Sequence, residues 1–377
     1  MRLRLVVLSA ISLATISLVP AVRAGTLDQA RMRGSNTGYA AADAAPSYPI
    51  LPSEPSYQGP AASPPYPAAI GSSRPVAVAR PIAQLHGFTF EFGTRYWYST
   101  GKLAKDLFDD PRLSANLNSR LTYSGLTSGA FEGFGRANTT FGSYIRGYAG
   151  FSGLGRGSLN DEDFPPGITS YSSTLSQQQG GNLAYGSVDF GQILVKRDRA
   201  TWSLFVGYGY LNESVSAFGC NQIAGNPLVC VPAIGSGVLA ITEETRWQFA
   251  RLGILGEFKV LDRLKLSAEV AWLPFEQVTA QDTHWLRLGT SPGSLSGPIP
   301  ESGGGTGVQI EAILSYQVSD HVSFGLGGRY WCLQTRGSTD LEGVIVGLPF
   351  PPSAQPLNFT TTRYGGFAQG AYKFGPI

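Results

Sequence analysis

Phe88-Thr89-Phe90-Glu91-Phe92-Gly93-Thr94-Arg95-Tyr96-Trp97-Tyr98 decides the fold. Its even positions, Phe88, Phe90, Phe92, Thr94, Tyr96 and Tyr98, are almost all aromatic, while Thr89, Glu91, Gly93, Arg95 and Trp97 alternate with them. Side chains in an extended chain point to opposite faces in turn, so this period of two predicts a strand with one apolar face. The pattern returns in 202–210 (Trp202, Leu204, Val206, Tyr208, Tyr210), in 264–272 (Leu264, Leu266, Ala268, Val270, Trp272) and in 322–330 (Val322, Phe324, Leu326, Gly328, Tyr330).

Outward from these segments, four connections are short and polar: near Thr139-Thr140, Arg197-Asp198-Arg199, Asp262-Arg263 and Ser319-Asp320. Between them lie long ones, near 104–111, 157–182, 217–240, 282–304 and 337–360. Short turns at one end and long loops at the other are the habit of outer-membrane barrels, as are aromatics gathered near strand ends. The segments count to ten, and the last ends in Tyr372-Lys373-Phe374. The expected fold is therefore all-β: a closed antiparallel transmembrane β-barrel of ten strands over 87–377. Closure leaves no unpaired edge in lipid. A soluble β-sandwich or secreted barrel is the alternative.

The N-terminal part reads differently. Arg2 and Arg4 precede an apolar run, Leu5 to Val19, and Val22-Arg23-Ala24 offers small residues to a signal peptidase. Residues 1–24 are expected to be a secretory signal peptide, since the run falls short of the roughly 20 residues a spanning helix needs. Residues 25–86 are rich in Pro, Ala and Ser, as in Pro64-Pro65-Tyr66-Pro67, and predict a disordered tether with too little apolar surface to offset its ordering entropy. The destination is the bacterial outer membrane, with lipid and lipopolysaccharide as neighbours. Charged residues make up 14% of the chain and the net charge is +2, which excludes the clustered basic footprint of a nucleic-acid binder. No Cys or His spacing suits a metal, and no cofactor is expected. Cys220 and Cys230 share one long loop and predict a disulfide, permitted by an oxidising compartment. Cys332, beside Trp331, reads as a small buried or lipid-facing residue.

Two acidic clusters sit beyond the aromatic segments, in long connections: Asp161-Glu162-Asp163 and Asp282-Thr283-His284. By strand count they rise from the third and seventh strands, which face each other across a narrow mouth. Positions i and i+2 of an extended chain share a face, so each pair can project inward. A carboxylate two residues from a His can fix the imidazole tautomer and raise its basicity, making His284 a general base. Two close carboxyls cannot both ionise easily, so one of Asp161 and Asp163 is expected to keep a proton. His86 lies in the tether and His321 in a short turn, which leaves His284 for chemistry at the mouth. Plain solvation, or divalent cations shared with lipopolysaccharide, is the bland alternative.

In these residues the sequence resembles the omptins, ten-stranded outer-membrane endopeptidases of Gram-negative bacteria. Gly101-Lys102, Ser119-Arg120-Leu121-Thr122-Tyr123, Gly155-Arg156-Gly157, Asn160-Asp161-Glu162-Asp163-Phe164, Gly253-Ile254-Leu255-Gly256 and Asp282-Thr283-His284 carry the likeness over about 87–377. The resemblance implies a catalytic aspartate couple, Asp161 and Asp163, facing a dyad, Asp282 and His284, at the extracellular rim. Together they would activate a water against a peptide or protein carbonyl. Lys105 and Ala280 fall where the family has acidic groups in its substrate pocket. A buried lysine there predicts repulsion of basic side chains and a preference for acidic or neutral ones. Arg246 matches one of the family's lipopolysaccharide-binding arginines, whereas Asn212 stands where another is expected, so a lipopolysaccharide requirement is half supported. The competing function is a non-catalytic barrel, adhesive, porin-like or structural. Ten strands leave an interior mostly filled by side chains, which argues against a general pore.

Overall fold

The computed structural model describes residues 87–109, 116–348 and 352–375. The expected signal peptide, tether and His86 lie outside the described residues. Twelve strand segments follow in order: β1 (Thr89–Phe108), β2 (Leu117–Ser124), β3 (Ser128–Asn138), β4 (Ser143–Gly153), β5 (Arg156–Asp163), β6 (Ser172–Lys196), β7 (Ala200–Gln222), β8 (Ile234–Leu261), β9 (Leu264–His284), β10 (Ile299–Gln317), β11 (Val322–Thr339) and β12 (Gln355–Phe374). They form ten wall positions. β2 and β3 are the upper and lower parts of one position, pairing with different halves of β1, and β4 and β5 are likewise stacked against β6. Every pairing is antiparallel, and β1 closes the ring on β12 from Phe90 opposite Phe374 to Leu107 opposite Leu357. The expected ten-stranded closed barrel is the observed fold.

Glycine makes the stacked positions possible. Gly125, between β2 and β3, has φ +65°, and Gly181, in β6 beside the β4–β5 break, has φ +107°. A Cβ on Gly181 would lie 2.1 Å from the Ser214 carbonyl oxygen. Left-handed backbone of this kind is open to glycine and strained for most other residues.

The outer face divides into two zones. In the lower zone it is apolar and aromatic: Tyr98, Val206, Tyr208, Ile254, Val270, Phe275, Leu326, Tyr364 and Phe374 are all exposed. On β12, Tyr364 and Phe374 are ten residues apart, roughly 33 Å of strand. Tilted by about 40°, that length spans roughly 25 Å, the height of an apolar membrane band flanked by aromatic girdles. Above this level the outward positions turn polar: Lys102 on β1, Glu244, Arg246 and Gln248 on β8, Gln277, Thr279 and Gln281 on β9, Gln334 and Arg336 on β11. The wall therefore continues well past the band into water.

This upper zone corrects the sequence reading. The long connections expected at 157–182, 217–240, 282–304 and 337–360 are largely strand, and the gaps shrink to 164–171, 223–233, 285–298 and 340–354. Above the band the outer face is polar and the lumen face mixes apolar residues such as Leu103, Trp247 and Val278 with charged ones, so the alternation of a lipid-facing apolar stripe that marks a strand fades although the backbone ladder continues.

Inside the band the lumen is packed. Arg95 and Arg329 both pair with Glu132 and Glu311, at 2.5–3.0 Å. Arg146 and Arg251 both pair with Asp189 and Glu269, at 2.5–3.1 Å. The Arg329 guanidinium also lies over the rings of Tyr148 (4.4 Å) and Trp97 (5.0 Å). The network joins strands around the whole barrel and forms a floor for everything above it. Below it, at the end of the short turns, opens a vestibule of about 710 Å³.

Candidate active site

The upper lumen holds a second charged cluster, and strand parity decides its members. On β5, Leu159 is fully buried, so Asp161 and Asp163, two and four residues on, share its inward face. Glu162 faces the other way and accepts a hydrogen bond from the Tyr171 hydroxyl at 2.6 Å. On β9, Val278, Ala280 and Asp282 are buried in one register, and His284 continues it at the end of the strand. On β1, Leu103 and Lys105 face in, while Asp106 faces out to Arg120. The aspartate couple and the Asp–His pair thus stand in strands, not in the loops expected for them, at the third and seventh positions of the ring.

His284 Nε2 lies 3.1 Å from Asp282 Oδ2, and its side chain is 16% exposed. Lys105 Nζ donates to Asp282 at 2.6 Å, to Glu243 at 2.5 Å and to Glu301 at 3.0 Å. Glu243 is the register partner of Asp282 across β8–β9. Like charges directly opposite in a sheet repel, and the lysine, reaching from β1 across the lumen, offsets that repulsion. Burial alone would raise the Asp282 pKa, but His284 and Lys105 together hold it well below the carboxylate range. Burial alone would lower the His284 pKa; the charge of Asp282 and its hydrogen bond, with Asp161 further off, raise it instead. Burial pushes Glu301 up to about 6 and Glu243 well above its usual range, against the pull of Lys105.

Across the cleft, burial first and the neighbouring Asp163 second push Asp161 up to about 7, with His284 opposing. Its Oδ1 is sealed from solvent and has no hydrogen-bond partner among the described residues. Burial also raises Asp163, against a hydrogen bond from Ser119 and the charges of His284 and Arg287. Both carboxyls are thus driven toward keeping a proton, and both feel the His284 charge.

The expected pocket residues take an unexpected form. Lys105 lies beside the dyad, with its ammonium turned to Asp282, Glu243 and Glu301. Ala280 is buried, one inward position below Asp282 and opposite Glu301. Arg246 is exposed on the outer wall, next to Asn212 on β7, above the aromatic girdle. Cys220 and Cys230 are joined by a disulfide at the head of the β7–β8 connection, and Cys332 is half-buried. Glu243, Glu301 and Tyr123 were not singled out from the sequence. The signal for Glu243 was parity: it falls in register with Trp247 and Phe249 on the inward face of β8. Tyr123 on β2 is buried, its hydroxyl without a hydrogen-bond partner among the described residues and within electrostatic reach of Asp282, Glu243, Lys105 and Asp161.

No protein-family model and no curated protein matches the chain. Among solved structures, the outer membrane protease OmpT from Escherichia coli superposes with a TM-score of 0.62 at 12% identity, covering 76% of this chain and 97% of that one. A Pseudomonas aeruginosa FadL homologue matches at a TM-score of 0.28 and 10% identity, covering 76% and 90%. The outer membrane protein AlkL matches at 0.28 and 10%, covering 82% and 98%. The first likeness is one of fold.

Proposed function

We propose that this protein is an outer-membrane endopeptidase whose site is the rim cluster, opening to the cell exterior. The observation that carries this reading is the facing of two acid–base pairs of opposite character. Asp282 is held ionised beside His284, while Asp161 keeps a proton near neutrality. Pairs of titratable groups driven apart in this way mark acid and base roles. His284, its Nε2 turned to Asp282, takes a proton from a water bound between the pairs. The water oxygen attacks the peptide carbonyl carbon, and the electron pair moves to the carbonyl oxygen. The protonated member of the aspartate couple, with the Tyr123 hydroxyl nearby, donates a hydrogen bond to that oxygen. His284 then returns its proton to the leaving nitrogen as the C–N bond breaks.

The resemblance to the omptins and the superposition on OmpT support this reading. The packed Arg–carboxylate floor opposes a porin-like one, because it fills the lumen at the level of the membrane band. Arg246 is a candidate for lipid phosphate, through a charge-assisted hydrogen bond. The test is a peptide-library digest with refolded protein, with and without lipopolysaccharide, read by mass spectrometry beside His284→Ala and Asp161→Ala. Wild-type cleavage lost in both variants is the expected result. No cleavage under either condition, or equal cleavage by the variants, would sink the reading.

A further inference from the structure

We infer that Lys105 is a built-in ligand: its ammonium fills an acidic subsite beneath the Asp282–His284 pair that would otherwise bind an alkylammonium or alkylguanidinium group. This deepens the endopeptidase reading, and its consequence for cleavage rests on that reading, whereas the binding itself does not.

The three carboxylates come from three adjacent strands, β8, β9 and β10, and the lysine comes from β1 on another wall. All four side chains are no more than 4% exposed. The acid side is thus a patch of one wall, and the cation is supplied to it from elsewhere, as a ligand would be. An ammonium has three N–H donors, and all three are used. The acids are not exhausted: Glu243 Oε1, Asp282 Oδ1 and Glu301 Oε2 are each buried with no hydrogen-bond partner among the described residues. Three acid groups with three spare oxygens offer more acceptors than one ammonium can satisfy, and a planar guanidinium with five donors fits that surplus better. The tether gives Lys105 a high effective concentration, so free amines do not displace it. A substrate side chain entering here meets a filled site, which disfavours Lys and Arg by occupation and not by repulsion.

Cutting the side chain back with Lys105→Ala opens a slot about as long as a butyl chain, ending on the acids. The probes are n-butylammonium chloride and N-ethylguanidinium chloride, against sodium chloride at equal ionic strength, with refolded barrel in micelles. Folding is checked by the barrel's heat-dependent gel migration. In Lys105→Ala either probe is expected to give a saturable rise in unfolding temperature of roughly a few degrees. Wild type, and Lys105→Met with its apolar stem still in place, are expected to show none. Where the single variant does not fold, Lys105→Ala with Glu243→Gln removes one charge of each sign and leaves Asp282 and Glu301 to bind the probe. In the peptide digest, Lys105→Ala is expected to cut beside Lys or Arg at least about 10-fold more often than wild type, the scale of a changed pocket contact. Absence of saturable binding in the folded variants, or an equal rise in Lys105→Met, overturns the proposal. Binding without peptide cleavage by any variant, wild type included, upholds the subsite and removes the endopeptidase reading.

Discussion

The barrel encloses two charged clusters of opposite stoichiometry. In the membrane band, four arginines meet four carboxylates, Arg95 and Arg329 with Glu132 and Glu311, Arg146 and Arg251 with Asp189 and Glu269, each group bridging two of the other sign. Above it, Glu243, Asp282, Glu301, Asp161 and Asp163 gather around Lys105 and His284, and four of the five carry a buried oxygen without a partner. A buried ion costs several kcal/mol to desolvate unless it is paired and hydrogen-bonded. The lower cluster comes closer to that demand, with every charge paired and only Arg146 Nη2 ion-paired to Asp189 without a hydrogen bond, and it serves as a floor. The upper one leaves more of it unmet, so its acids are driven toward holding protons, the perturbed titration that marks sites of acid–base chemistry.

The largest expected effect breaks the upper cluster. His284→Ala or Asp282→Asn should lower kcat/KM for peptide cleavage by about 10²–10⁴-fold, the usual loss of a general base or its partner, with unchanged thermal unfolding as the control. Next, Arg329→Ala should destabilise the barrel by about 3–5 kcal/mol, because Glu132 and Glu311 lose a buried partner. Glu243→Gln, which removes one of the surplus acids, should leave the denaturation midpoint unchanged or raised. Equal losses from these two substitutions would erase the distinction between the clusters.

A smaller effect sharpens it through pH. The Asp161 pKa is raised from 3.8 in the unfolded chain to about 7 in the fold. Between those values the folded state binds a proton that the unfolded state has released. Asp161 therefore opposes folding increasingly as pH rises through that interval, and the penalty is complete above pH 7. Asp161→Asn should then be more stable than wild type at pH 8, by on the order of 1–2 kcal/mol after allowance for its partial exposure. The gain should fade toward pH 4. Thermal unfolding across that range checks the sign; a gain that grows on acidification would be the wrong one.

What the sequence disclosed follows the same division. Within the band, water-free surroundings favour apolar residues at nearly all outward positions, so Phe88–Tyr98 and its repeats could be read directly as strand. Above the band that force is absent. Segments such as Arg336-Gly337-Ser338-Thr339 in β11 are strand on backbone hydrogen bonds alone and read as loop. The D-x-D and D-x-H spacings survived this error, because two residues on one face stay together in any extended stretch. The state of Lys105 was not readable, since its partners lie 138, 177 and 196 positions away and only closure of the barrel brings them together.

A double-mutant cycle on Asp161 and His284 tests the central claim most directly. Peptide hydrolysis would be measured for wild type, Asp161→Ala, His284→Ala and the double variant. If both act on one water, each single change removes most of the activity and the double variant is no slower than the worse single one, since groups acting as a unit are strongly non-additive. Two independent losses that multiply in the double variant would contradict a shared site.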